Sequence, residues 1–199
     1  MSLPTLYYFD AKGRAECARL LLAYAGVQYV DLRFPYPVIP DNVAEKTTFG
    51  QVPHYSDGDI ELSQSLAIEL YLSRKYGLLG SNAVDEAKII SYAISTGDIS
   101  QAFIVAQKGG PEAMEKYKNE VAPRYYRVWE KTLKENGCKH FYGKSITYAD
   151  IAIFSVIDYV LSKDANRFEQ FPSCLEFHRH ILEVPNLKIY LASRKVTPF

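Results

Sequence analysis

The sequence predicts two folded units of different class. An α/β unit spans residues 1–77, an all-α unit spans 85–199, and residues 78–84 join them. Three observations carry this. Residues 3–77 alternate short runs of strand period with runs of helical period, in the order strand, helix, strand, loop, strand, strand, helix. Residues 77–84, GLLGSNAV, set two glycines and a Ser-Asn pair between periodic segments. From there the periodicity is helical throughout. A chain of 199 residues with 48% hydrophobic content is long enough to bury two small cores.

Leu3 to Phe9 is the first strand. Gly13 to Tyr24 is a helix, with Ala15, Ala18, Leu21, Leu22 and Ala25 at helical spacing and Gly26 closing it. Val27 to Phe34 is the second strand, where Val30 and Leu32 alternate with polar neighbours. Strand, helix, strand at this length implies a right-handed crossover between parallel strands. Pro35, Pro37 and Pro40 break the chain into a loop, with one helical turn near Asn42 to Lys46. Val52-Pro53 follows. Proline lacks an N–H and belongs at the first position of a strand, and X–Pro is the bond in which cis is only mildly disfavoured. A strand opened by a cis-proline leaves the N–H and C=O of Val52 unpaired, facing a cleft. Ser56-Asp57-Gly58-Asp59 is a hairpin turn, with Ile60 and Leu62 on the return strand. Ser63-Gln64-Ser65 then precedes an apolar helical run of Leu66, Ile68, Leu70, Tyr71 and Leu72 that ends at Gly77. A serine there caps the helix, and a helix N-terminus is an anion site. One segment thus offers a free strand edge and, a short way on, a carboxylate receptor. An extended peptide bearing a carboxylate fits both. The element order is that of a thioredoxin-like domain.

Asp85 to Gln107 reads as one long helix with Ile89, Ile90, Ala93, Ile94, Phe103 and Ile104 on its apolar face. Gly97 interrupts it, which predicts close packing or a bend, since a mid-helix glycine costs about 1 kcal/mol relative to alanine. Gly109-Gly110-Pro111 stops that helix and starts another, Glu112 to Glu135, with a kink or break expected at Pro123. Thr147 with Asp150 three residues on is a capping-box arrangement. It opens the helix Tyr148 to Leu161, apolar nearly all round and therefore buried. Ser173 to Glu183 and Asn186 to Ser193 are shorter helices.

Formal net charge is zero and there is no basic run, which argues against a nucleic-acid partner. The start MSLPTLYYF lacks the basic flank and apolar run of a signal peptide, and no long uncharged apolar stretch predicts a membrane span. Cys17, Cys138 and Cys174 are odd in number and far apart in sequence, the pattern of reduced thiols in a cytoplasmic protein. No His/Cys cluster has zinc spacing: His178 and His180, two apart, do not share a helix face.

With LYYFDAKGRAE at the start, FGQVPHYSDGDIELSQSLAI in the middle and the Ser-Ile-Thr-x-Ala-Asp box in the second half, the chain resembles the cytosolic glutathione S-transferases. Tyr8-Phe9 with Gly13-Arg14-Ala15-Glu16, plus Gln64-Ser65, looks most like the sigma class, which includes the glutathione-dependent prostaglandin D synthases. The resemblance runs from Leu3 to about Leu191 and implies the glutathione transferase fold.

The resemblance implies a chemistry too. Tyr8 donates its hydroxyl to the glutathione sulfur and stabilises the thiolate, which attacks an electrophilic, apolar second substrate. Alternation puts Tyr7 and Tyr8 on opposite faces, and only the family motif favours Tyr8. Arg14 lies against the tyrosine and favours the anionic sulfur; its plain alternative is a surface salt bridge with Glu16. Val52, opened by Pro53, pairs its backbone with the cysteinyl part of glutathione. Gln64 and Ser65 hold the γ-glutamyl carboxylate. Asp98 reaches across a homodimer to the glutathione amino group. Where sigma-class proteins carry Trp and Lys to grip the glycyl carboxylate, this chain has Pro40 and Ala44, so Lys46 and Gln51 are the candidates there. Phe9, Phe103, Val105, Ala152 and Phe199 line the second-substrate pocket, with Val105 and Ala152 where the prostaglandin synthases have large aromatics. Glutathione is a co-substrate, and no metal or redox cofactor is implied. Cys17 lies too far into its helix to act as a nucleophile. A non-catalytic ligand binder, a structural crystallin and a prostaglandin isomerase remain as alternatives to a detoxifying transferase.

Overall fold

The computed structural model describes residues 2–197. Phe199, a residue of the expected second-substrate lining, lies outside them. By contacts the chain divides into residues 1–77 together with 184–199, and residues 78–183.

The first unit is a four-stranded sheet with helices on it. β1 (Thr5–Phe9), β2 (Val30–Phe34), β3 (His54–Asp57) and β4 (Ile60–Ser63) lie in the order β2-β1-β3-β4. β1 and β2 are parallel, with Tyr8 opposite Arg33, whereas β3 runs antiparallel to β1 with His54 opposite Tyr7. The crossover between β1 and β2 is split. Gly13–Ala15 forms a 3-10 turn, and α1 proper begins at Glu16 and runs to Tyr24. The sequence reading gave one helix from Gly13; its positive φ of 42° starts the segment outside α-helical geometry. β2 begins three residues later than its apolar alternation suggests, at Val30. α2 (Asp41–Ala44) and α3 (Ser65–Lys75) complete the order, and α3 packs on α1 over buried Leu20, Leu21, Ile68 and Leu72. Tyr7, Phe34 and Val43 form a cluster with Phe9, Ile39 and Val52 against it. α9 (Pro185–Ser193), grouped with the helical half by sequence, packs on α1.

The second unit is helical. α4 (Ala83–Lys108) starts two residues early because Asn82 caps it, its side chain accepting from the N–H groups of Val84 (2.9 Å) and Asp85 (3.0 Å). By length and composition α4 is apolar enough to cross a membrane, which the sequence reading did not expect; its inward residues Ile89, Ala93, Ile99 and Ala106 are buried in this unit. Gly97 is not a close-packing site, because a Cβ there meets nothing within 4 Å. Pro123 does mark a break. Between α5 (Gly110–Lys116) and α6 (Ala122–Glu135), residues Tyr117–Val121 are π-helical, and the Ala122 N–H reaches back five residues to the Tyr117 carbonyl. The residue after it has no N–H to continue an α ladder. α7 (Tyr148–Lys163) is the core helix, with Ile151, Ala152, Ile153 and Phe154 essentially unexposed. α8 (Pro172–Leu182) packs on α6 and α7.

Candidate active site

β1 ends in two tyrosines, and the pleat sends them to opposite faces. Tyr7 joins the Phe34–Val43 cluster, with the His54 ring 5.5 Å away and the Lys46 ammonium 5.6 Å from its own ring centre. Tyr8 faces the other way, toward the loop that enters α1. The backbone N–H of Arg14 donates to the Tyr8 hydroxyl oxygen at 3.1 Å. Gly13 closes in beside it: a Cβ there would lie 2.5 Å from that oxygen, and φ is already positive. Any side chain at position 13 would strike the tyrosine and strain the backbone. Tyr8 itself is 8% exposed. An N–H donor on its oxygen leaves the hydroxyl proton free to point elsewhere, and polarises it as a donor.

Arg14 therefore serves through its main chain, and its side chain is exposed. The arginine that meets the Tyr8 ring is Arg19, fully buried, with its guanidinium carbon 5.8 Å from the ring centre. Its Nη1 donates to the carbonyls of Ala11 (2.8 Å) and Lys12 (3.3 Å), and its Nε to Asp31 (3.1 Å). The sequence reading missed Arg19. The readable signal was a cation inside the apolar run of α1, three residues after Glu16, since i,i+3 pairs share a helix face.

The Val52-Pro53 bond is cis, and β3 starts only at His54. Among the described residues the N–H and C=O of Val52 have no hydrogen-bond partner. The N-terminus of α3 is built differently from the serine cap read in the sequence. Ser65 is its first helical residue, and Gln64 holds the cap position with φ 78° and no side-chain cap bond. A non-glycine residue there carries about 1–3 kcal/mol of backbone strain. Gln64 thus gives the first-turn N–H groups of α3 no side-chain cap. Ser63 supports the edge instead: its Oγ accepts from the Thr48 N–H (3.1 Å) and sits 3.2 Å from His54 Nδ1. The side chains of Gln64 and Gln51 meet at 3.5 Å, which brings the Gln51-Val52 edge and the α3 N-terminus to one place. Lys46 lies over the ring of Tyr7, the tyrosine that faces away from Tyr8.

The expected second-substrate residues divide between the two units, Phe9 in the first and Phe103, Val105 and Ala152 in the second. Phe9 stacks edge-on with Phe34 (5.3 Å) and Tyr36 (5.2 Å). Ala152 is 1% exposed in α7, and Phe103 packs on Tyr117 (5.5 Å) and Tyr159 (6.4 Å). Val105 is 59% exposed and lines a cavity of about 650 Å³ with Gln101, Ala102, Tyr117 and Asp98. Asp98 is itself exposed. Cys17 is buried, and burial with Glu69 nearby pushes its thiol well up, which leaves it inert. Among the described residues no group of three or more His, Cys, Asp or Glu is arranged to hold a metal ion.

Comparison with known proteins bears on the whole chain. Residues 4–74 match the family model for the glutathione S-transferase N-terminal domain, and residues 97–194 match that for the glutathione S-transferase C-terminal domain. The chain is 34% identical over 202 residues to a glutathione S-transferase of Plasmodium falciparum, covering 96% of this chain and 95% of that protein. It is 31% identical to glutathione S-transferase alpha-2 of Rattus norvegicus, covering 94% and 87%. The solved structure of the Pi-class glutathione S-transferase of Onchocerca volvulus superposes with a TM-score of 0.87 at 29% identity, covering 97% of this chain and 94% of that one.

Proposed function

We propose a role for each group of this cleft from one premise: the chain belongs to the glutathione S-transferase family and is a glutathione transferase. The observation that carries the proposal is the Tyr8 hydroxyl, buried at the end of β1 with the Arg14 N–H on its oxygen. A glutathione thiol of ordinary pKa, about 8.5, is only a few per cent ionised at pH 7. A hydroxyl donating to the sulfur anion contributes about 1.5–3 kcal/mol, equivalent to roughly one to two pKa units. That brings the thiol near half ionisation at neutral pH. The thiol proton passes to solvent, the thiolate forms a bond to the electrophilic carbon, and the leaving group departs with its electron pair.

The unpaired N–H and C=O of Val52, beside Pro53, receive the cysteinyl segment as an added antiparallel strand. The strained Gln64 and the uncapped first turn at Ser65 receive the γ-glutamyl carboxylate. Gln51, beside Gln64, and Lys46 are candidates for the glycyl end, which Pro40 and Ala44 leave without the usual Trp and Lys. Asp98 is assigned to a partner subunit's glutathione in a homodimer. The electrophile is an apolar small molecule. Of the expected lining in the helical unit, Val105 is the exposed member, whereas Ala152 is buried and Phe103 is stacked. We place the chain nearest the sigma class on Tyr8-Phe9, Gly13-Arg14-Ala15-Glu16 and Gln64-Ser65, in the cytoplasm, working in detoxification without a metal or redox cofactor.

Conjugation of glutathione to an aryl halide, followed across pH for wild type and Tyr8→Phe, tests this. The variant is expected to bind glutathione but lose activity by roughly 10–100-fold, with the acid limb of its profile moved up by one to two units. Unchanged turnover and profile in the variant would remove Tyr8 from the chemistry.

A further inference from the structure

The loop from Asp10 to Glu16 carries the Arg14 N–H that donates to the Tyr8 hydroxyl and the Gly13 whose missing side chain leaves room for it. Each end of that loop is an acid, and each acid is tied to the far end of the chain. At the α1 end, Glu16 is 5% exposed; its Oε1 accepts from the Tyr190 hydroxyl (3.1 Å) and from Arg194 Nη1 (2.9 Å), and its Oε2 from Arg19 Nη1 (3.4 Å). At the β1 end, the Asp10 carboxylate pairs with Lys195 Nζ at 2.5 Å and with Arg33 Nη1 at 3.5 Å. Lys195 is the leading cause of an Asp10 carboxyl held below its ordinary value. Burial raises the Tyr190 phenol, so it stays neutral and remains a donor to Glu16. Between the two acids, Arg19 gathers the carbonyls of Ala11 and Lys12.

We propose that Tyr190, Arg194 and Lys195 act as a C-terminal strap that positions the catalytic tyrosine, by fixing both ends of the loop whose Arg14 N–H holds the Tyr8 hydroxyl. These are positioning residues. They touch Glu16 and Asp10, and act on Tyr8 through the loop. The two clasps differ in weight. The Glu16–Arg194 pair is nearly dry, with 7% and 14% of the side chains exposed, whereas Lys195 is 61% exposed and its pair is screened by solvent. Arg194 is therefore the stronger clasp and Lys195 the weaker. The inference rests on Tyr8 being the thiolate-stabilising group.

The test uses the full chain with Arg194→Ala, Arg194→Lys, Lys195→Ala and Tyr8→Phe as reference. Two quantities are read: hydrogen exchange of the Arg14 amide, and the pH profile of glutathione conjugation with kcat and KM resolved. Arg194→Ala is expected to speed Arg14 amide exchange by roughly tenfold or more. It should also lower kcat about 3–10-fold and move the acid limb up by about half a unit, with KM for glutathione within about twofold of wild type. Arg194→Lys should restore most of this, and Lys195→Ala should show the same signature in smaller size. A lower melting temperature in Arg194→Ala with wild-type Arg14 exchange and a wild-type pH profile would overturn the strap, leaving the ion pairs as simple stabilisers. If Arg194→Ala does not fold, Arg194→Lys and Lys195→Ala decide: unchanged exchange and profile in both overturn it. If Tyr8→Phe keeps the wild-type profile, the reading of Tyr8 fails, while Arg14 exchange still reports separately whether the strap holds the loop.

Discussion

Asp150 and Glu16 are both buried carboxylates in the first turn of a helix, one at the head of α7 and the other at the head of α1. Asp150 finds its donors nearby. It accepts from the Thr147 N–H (2.7 Å) and hydroxyl (2.8 Å), three residues back, and from the Phe141 N–H (2.7 Å), nine residues back. Glu16 has one near partner, Arg19, three residues on; its shorter bonds come from Tyr190 and Arg194, 174 and 178 residues away. One carboxylate is satisfied as soon as its own segment folds. The other waits for the whole chain. A self-contained cap suits a core helix that has only to be stable. A long-range tie suits a loop that must be held in one place beside a reacting group, because it makes the loop's position depend on the finished fold.

The largest expected effect breaks the local cap. Asp150→Ala strands the Thr147 and Phe141 N–H groups in a buried site, and each unsatisfied donor costs about 1–3 kcal/mol. The variant should lose about 4 kcal/mol and melt roughly 10 °C lower. A loss under about 1 kcal/mol would mean water replaces the carboxylate, and the cap would no longer count as buried.

pH sharpens the same comparison. Burial pushes the Asp150 carboxyl up to about 6, against the donors of Phe141 and Thr147 that lower it. Its unfolded value is about 3.9. Between these values the folded state holds the proton more tightly, so stability from this group falls as pH rises from about 4 to 6, by up to about 3 kcal/mol. Asp150→Asn removes the titration. The stability difference between wild type and Asp150→Asn, measured by urea unfolding at pH 4 and pH 7, should therefore shrink as pH rises. A difference that widens would show that the three donors outweigh burial. Asp57 titrates in the opposite sense. Lys75 holds its carboxyl low, so its contribution is present above about pH 4 and lost as pH falls further.

The same near-and-far division decides what was legible in the sequence. The α7 cap, the hairpin, the cis Val52-Pro53 bond and the break at Pro123 each follow from residues a few positions apart, and each stands where the pattern puts it. Tyr8 beside Gly13-Arg14 was legible only through a family motif, since alternation alone leaves Tyr7 and Tyr8 equivalent. Gln64 was readable as a contact residue but not as the strained cap, because nothing local signals a positive φ at glutamine. Glycine at 97 suggested close packing or a bend, and the open space around it removes close packing as its reason. The clasps on Glu16 and Asp10 were invisible, because Arg194 and Lys195 carry no periodic or turn signal and their partners lie at the other end of the chain.

The smallest expected effect separates the two arrangements most cleanly. Glu16→Ala removes the acceptor shared by Arg19 and Arg194, and truncation after Ser193 removes Arg194 and Lys195 while leaving Tyr190 and Arg19 in place. Both changes delete the Glu16–Arg194 tie, so their costs should not add. In the truncated chain Glu16→Ala should cost about 1 kcal/mol less than in the full chain, the range of coupling expected for residues in one ion-pair network. Asp150→Ala should cost the same in both backgrounds, because none of its donors lies beyond residue 150. Equal Glu16→Ala costs in the full and truncated chains would mean that Arg19 and Tyr190 alone satisfy Glu16. Arg194 would then add nothing at Glu16, and the long-range tie would reduce to the Tyr190 hydrogen bond.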